Sequence, residues 1–204
     1  AIPCAAGFIA LAGPLLDLLY FTQDNAIPAL MLRIGGISVV FFCLSTVTNA
    51  ALQGLDEMGK PVKNAAISLV IHVAALFIML VVFKWGIYSI PVSKIIFAAS
   101  ICILNAHDLR ETCGYVQEQK QTFVIPAIAA VIMSIVSLLV HLLGVLFIGE
   151  MPATVLAVIA AVAVYGISLV GLGGITEEEL LAAPKGATLV TVCRKLHLIR
   201  GRYR

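Results

Sequence analysis

Six apolar runs alternate with short polar breaks along this chain. They predict helices over about Ile2 to Tyr20, Ile27 to Leu52, Asn64 to Lys84, Pro91 to His107, Thr122 to Phe147, and Pro152 to Gly171–Gly174. Each run is close to the ~20 residues that a helix needs to cross a ~30 Å hydrocarbon layer. Pro14 lies inside the first run and predicts a kink, because neighbouring helices can re-satisfy the carbonyl that a proline frees. Pro91 and Pro152 stand where helices start, a position that tolerates the missing N–H. The polar breaks are Phe21 to Ala26, the Asp56 to Lys60 hairpin, Asp108 to Gln121, and Gly149-Glu150. Trp85 and Tyr88 follow the third run and suit a belt at the headgroup level. No internal repeat stands out.

Composition agrees with this pattern. The 204 residues are 61% hydrophobic and 12% charged, against roughly 45–50% and 25% in soluble domains. A soluble protein of this size has no way to bury so much apolar surface, so the bilayer is the expected solvent. The formal net charge of +2 is small and no basic face is clustered, which argues against nucleic acid as a partner. The five cysteines are odd in number and lack C-x-x-C spacing, so they read as reduced packing residues. No signal peptide is visible, and the first residues already look like the inside of a membrane helix. The chain therefore reads as part of a longer protein with material upstream.

The positions of Lys and Arg set the expected orientation. With six spans, Lys60, Lys63, Arg110, Lys120, Lys185, Arg194, Lys195, Arg200, Arg202 and Arg204 share one side, and Lys84 and Lys94 lie on the other. That asymmetry predicts a cytoplasmic C-terminus. In the tail, Thr176 and Glu179 have capping-box spacing, with Glu177 and Glu178 suited to a helix N-terminus. Leu189, Val192, Leu196 and Ile199 make one face of a second helix, with Arg194 and Lys195 on the other. Such a helix is expected to lie in the interface on anionic lipids. The expected fold is thus all-α: a polytopic bundle of six transmembrane helices over residues 1–174, and a basic amphipathic cytoplasmic tail over 175–204.

The candidate chemistry is sparse. Arg33 lies about seven residues into the second helix, roughly 10 Å from its outer end. A charge at that depth normally faces protein or a water-filled cavity. Two roles are open: a guanidinium contact for a phosphate or pyrophosphate head group, or a structural one, snorkelling or paired with Asp17. Asp17 can alternatively bind a proton or cation, or be solvated. His72 is either a hydrogen-bonded packing residue or a proton relay, and His141 is a packing residue. Asn49 and Thr46 suit hydrogen bonding between helices, with substrate contact as the alternative. The candidate cavity residues are therefore Arg33, Asp17, Asn49 and His72. No nucleophile–base set, phosphate loop or metal-ligand spacing is present, so no catalytic residue, metal or cofactor is expected, and the chain is not expected to be an enzyme.

Asn49-Ala-Ala-Leu-Gln-Gly-Leu-Asp-Glu-Met-Gly-Lys-Pro-Val-Lys-Asn64 resembles the hairpin of polysaccharide exporters and flippases. Gly173-Gly-Ile-Thr-Glu-Glu-Glu-Leu-Leu-Ala-Ala-Pro-Lys-Gly186, with the basic end that follows, is similar to the C-terminus of stage V sporulation protein B and its relatives. Phe83-Lys-Trp-Gly-Ile-Tyr88 resembles the short segment before the next helix in that family, with Tyr88 where a glycine is common. The resemblance implies the C-terminal lobe of a multidrug/oligosaccharidyl-lipid/polysaccharide exporter, with two lobes around an alternately open cavity. It implies an undecaprenyl-linked sugar or peptidoglycan precursor as substrate, in envelope or spore-cortex assembly, and an N-terminal lobe of the same protein as partner. The rival expectations are a cation-coupled drug exporter of the same superfamily and a non-transporting membrane scaffold.

Overall fold

The computed structural model describes residues 1–20, 24–114 and 120–175. Among the described residues every regular element is helical and there is no strand. The helices are α1 (Ile2–Ala10), α2 (Ala12–Tyr20), α3 (Ala26–Gly54), α4 (Gly59–Val81), α5 (Ser89–Cys113), α6 (Ile125–Ile148) and α7 (Glu150–Gly171). The chain divides into two compact units, one holding α1 to α5 and the other α6 and α7. Helices α3 to α7 are each long and apolar enough to cross a membrane, which makes this an all-α, multi-pass membrane protein. The tail features between Thr176 and Arg204 lie outside the described residues.

The expected first span differs. Instead of one kinked helix over Ile2 to Tyr20, α1 and α2 meet at Leu11 with a 78° bend. Pro14 supplies the cause. It has no N–H to give the Ala10 carbonyl, and its ring crowds that carbonyl, so the helix stops at Ala10. Leu15 resumes the ladder by donating to the Leu11 carbonyl. Each half has nine residues, about 14 Å, too short to cross alone. The pair adds a sixth crossing only as one broken span.

Two other boundaries move. α4 starts at Gly59, five residues before Asn64, with Pro61 in the first turn, where its missing N–H costs no bond. α5 runs on through Asp108, Arg110 and Glu111 to Cys113, so the first part of the expected polar break is helix. Polar side chains alone do not end a helix. The stop is Gly114, which takes the left-handed conformation (φ 67°) and donates to the Arg110 carbonyl. At the α6–α7 turn Gly149 also takes a positive φ, 83°, but with an extended ψ of 171°.

In the first unit, α3 and α5 run parallel. Gly35 faces Pro91, Cys102 donates to the Phe41 carbonyl, and Asn105 bonds Thr48 and Asn49. α4 runs antiparallel to α5, since His72 meets Ser93 and Asn64 meets Asn105. The burial pattern inverts that of a soluble core. Asn105, Ser68, Ser93 and Ala98 are fully buried, whereas Val70 is 70% exposed. Likewise in the second unit, Ala153, Ala157 and Ser137 are fully buried while Phe147 is 84% exposed. Small and polar residues let helix backbones approach, and the large apolar side chains face lipid.

Gly144 shows how close that approach is. A Cβ there would lie 2.9 Å from the Ala153 Cβ and 3.3 Å from its Cα. Gly144→Val is therefore expected to destabilise the α6–α7 hairpin by about 1–3 kcal/mol, the usual range for overpacking. Gly166 has nothing within 4 Å of its Cβ position, and Gly166→Ala should be neutral or stabilising by up to ~1 kcal/mol. Denaturant titration of helicity in mild detergent checks both.

Candidate functional site

The largest polar constellation joins α3, α4 and α5 at the end of the bundle near the charged hairpin. Asn105 is its centre. Its amide donates to the Asn49 Oδ1 at 2.7 Å and to the Thr48 hydroxyl at 3.0 Å, both on α3. Its carbonyl accepts from the Asn64 amide of α4 at 3.0 Å. Asn64 gives its other hydrogen to the Asp108 carboxylate at 2.6 Å. Asn105 is fully buried and Asn64 nearly so, while Asn49, Thr48 and Asp108 are half-buried. One turn before Asn64, Lys60 donates to the Thr112 hydroxyl at 2.8 Å and pairs with Glu57 at 3.1 Å.

The spacing explains the convergence. Asn105, Asp108 and Thr112 are three and four residues apart on α5, and Lys60 and Asn64 are four apart on α4, so each set lies on one helix face. Thr48 and Asn49 complete the set from α3. Membrane hydrogen bonds of this kind contribute ~0.6 kcal/mol each on average, so the four around Asn64 and Asn105 together stabilise the three-helix contact by about 2 kcal/mol.

The candidate residues fall in separate places. Asn49 is in the network, as interhelical hydrogen bonding predicts. Thr46 is not: its hydroxyl bonds the Phe42 carbonyl of its own helix, and Thr48 takes the place across from Asn105. His72 contacts the Ser93 carbonyl through Nδ1 at 3.0 Å, and its ring meets that of Phe97 at 5.5 Å, tilted by 57°; Phe97 also meets Phe42. Because a carbonyl only accepts, Nδ1 carries the hydrogen of this contact. Asp17 is exposed and accepts from the Asn25 amide at 2.7 Å. It makes no ion pair with Arg33, so the expected structural pairing of the two is replaced by a local bond at the α2–α3 turn. Arg33 is exposed on α3, and no ion pair or hydrogen bond engages it among the described residues.

His141 lies in the second unit, with Nδ1 3.4 Å from the Thr154 hydroxyl. Cys4, Cys43, Cys102 and Cys113 are free. His107, Asp108 and Glu111 have ligand-type atoms within 4.8 Å of one another. His107 and Glu111 are exposed and 3.8 Å apart, an ordinary i,i+4 surface pair, and Asp108 is already engaged by Asn64. A groove of about 410 Å³ lies between α3 and α5, with Leu44, Val47, Ala51, Leu55 and Leu109 around the Thr48 hydroxyl.

The chain matches no family model, no curated protein and no solved structure.

Asn64, Asn105 and Asp108 were not among the expected site residues. A signal for them exists in the sequence. Asn105 stands inside an apolar run, and a lone amide there needs a partner from another helix. Asn105→Leu removes three of the bonds and is expected to cost about 1–3 kcal/mol. Asn64→Leu added to it should cost less than the sum of the two single changes, because the residues share a bond. Strict additivity in a double-mutant cycle by steric trapping in bicelles would show that the amides act independently.

Proposed function

We propose that this chain is the C-terminal lobe of a flippase for lipid-linked oligosaccharides or peptidoglycan precursors, working by alternating access. The observation that carries the proposal is Arg33: an exposed guanidinium about 10 Å along a membrane-spanning helix, with no partner among the described residues. Keeping a lone cation at that depth is costly, which favours a ligand that neutralises it. A phosphate or pyrophosphate head group does so with two parallel charge-assisted hydrogen bonds. The apolar groove beside Thr48 adds a seat for a stretch of isoprenoid chain. The resemblance of the Asn49–Asn64 hairpin and of the tail to polysaccharide exporters supports the same assignment. So does the bundle of small-residue interfaces, which lets helices rock against one another.

The plasma membrane is the proposed location, with the tail cytoplasmic and held on anionic lipid. The N-terminal lobe of the same protein is the proposed partner that closes the cavity. The competing cation-coupled exporter rests on Asp17, and that carboxylate sits at a helix end beside Asn25, far from the buried network in sequence and already hydrogen-bonded. Asp17→Asn is therefore expected to leave transport intact.

In vesicles holding the full-length protein and a fluorescent undecaprenyl-linked sugar, Arg33→Ala should slow flipping on the order of 30-fold. That is about 2 kcal/mol, the size of one charge-assisted contact. Membrane abundance should be unchanged. Arg33→Lys should keep part of the rate, since it retains charge without the bidentate fork. Wild-type flipping by Arg33→Ala would remove this residue from head-group binding.

A further inference from the structure

Arg33 shares a face of α3 with the groove beside Thr48. Arg33, Ile37, Val40 and Leu44 recur at every third or fourth position, and Ala51 and the cap residue Leu55 continue the row. None of the six is buried, so this face stays open along the whole span. Leu44, Ala51 and Leu55 line the groove, with Leu109 and Cys113 of α5 as its other wall. A cation at one end and an apolar trough at the other thus lie on one line.

The trough suits hydrocarbon. Its two polar side chains are already engaged: the Thr48 hydroxyl donates to the Leu44 and Ser45 carbonyls and accepts from Asn105, and the Cys113 thiol donates to the Leu109 carbonyl. A hydrocarbon chain gains nothing by leaving acyl chains for a convex helix surface. In a trough it has wall atoms on several sides and gains dispersion contacts. The gain is confined to whatever part of a chain reaches Leu44 and beyond.

Distance decides which chain does so. Leu44 is eleven residues past Arg33, about 16 Å along the helix, and Leu55 is twice as far, about 33 Å. The acyl chain of a bilayer phospholipid covers half of a ~30 Å hydrocarbon core, about 15 Å. With its phosphate at Arg33, such a chain ends where the groove begins. A chain that fills the groove is about twice that long.

We propose that the groove gauges chain length: with the phosphate of a lipid carrier at Arg33, it seats the distal part of a long polyprenyl chain and gives short prenyl and ordinary acyl phosphates no seat. This rests on the head-group role of Arg33 proposed above and adds specificity for the carrier's tail. Ala51 and Gly54 set the depth of the trough, because a larger side chain at either position would occupy it. A Cβ at Gly54 meets nothing within 4 Å, so the trough can be filled from there without disturbing the helix packing.

The test is equilibrium binding of undecaprenyl phosphate, geranyl phosphate and dioleoyl phosphatidate to the full-length protein in nanodiscs. Wild-type protein is expected to bind undecaprenyl phosphate about tenfold more tightly than either of the others. Gly54→Leu and Ala51→Leu should remove that preference and leave geranyl phosphate binding as in wild type. Gln53→Leu, at an exposed position outside the groove, should keep it. Arg33→Ala should weaken both prenyl phosphates alike. Undecaprenyl phosphate, unlike geranyl phosphate, should also slow alkylation of Cys113 several-fold, read by peptide mass spectrometry. Equal affinity of the two prenyl phosphates, weakened by Arg33→Ala, overturns the gauge and leaves the Arg33 reading standing. So does a preference that Gly54→Leu and Ala51→Leu leave unchanged, phosphatidate binding as tightly as undecaprenyl phosphate, or an unprotected Cys113. Prenyl phosphate binding that Arg33→Ala does not weaken overturns both.

Discussion

The Asn105 amide is the interaction on which the first unit depends. In water an asparagine can leave one helix partner for solvent at little cost. Inside a bilayer it has no such exchange, and its donors and acceptor must find partners on other helices. Asn105 finds them on α3 and α4 at once, and so sets the register of both against α5. Each bond is individually weak, but they share two side chains, and the arrangement is correspondingly selective. A shift of α4 by one residue would turn Asn64 about 100° away from Asn105 and leave both amides unsatisfied.

Around that centre, packing follows from the absence of a hydrophobic driving force between helices in lipid. Leucine gains nothing by leaving acyl chains for another leucine. Close approach of backbones does gain dispersion energy, and many of the buried positions are accordingly Ala and Ser, with Leu11, Leu52, Ile101, Leu109 and Met133 among them, while most bulky residues turn outward. Gly36 lets α1 come within contact of α3, where a Cβ would sit 3.3 Å from the Ala5 carbonyl oxygen and the Phe8 Cβ. Gly144 and Ala153 do the same for α6 and α7. The close contacts that build the fold are therefore also those with least tolerance for added volume.

The α4–α5 interface departs from this economy. Two of its serines, Ser68 and Ser89, forgo the local carbonyl that the other buried serines use, and a histidine holds one ring nitrogen toward a backbone oxygen while its ring meets Phe97 at a tilt.

Much of this was legible in the sequence. Long apolar runs specified membrane-spanning helices because a bilayer leaves few other solutions for the backbone, and all five uninterrupted spans lie close to their expected positions. Asn49 and His72 were recognisable as hydrogen-bonding residues because a polar side chain inside an apolar run must have a partner. The sequence did not reveal which partner. Thr46 and Thr48 are two residues apart, and either hydroxyl can bond its own helix, so only the crossing of α3 with α5 decides that Thr48 faces Asn105. Nor did it reveal that α5 continues through Asp108, since charge looked like a break until Asn64 came to meet it. Pro14 announced a kink, yet its size depended on Ala10 giving up its bond altogether. Periodicity and hydropathy are properties of one segment and can be read from it; partner choice is a property of two surfaces, and exists only once the helices have packed.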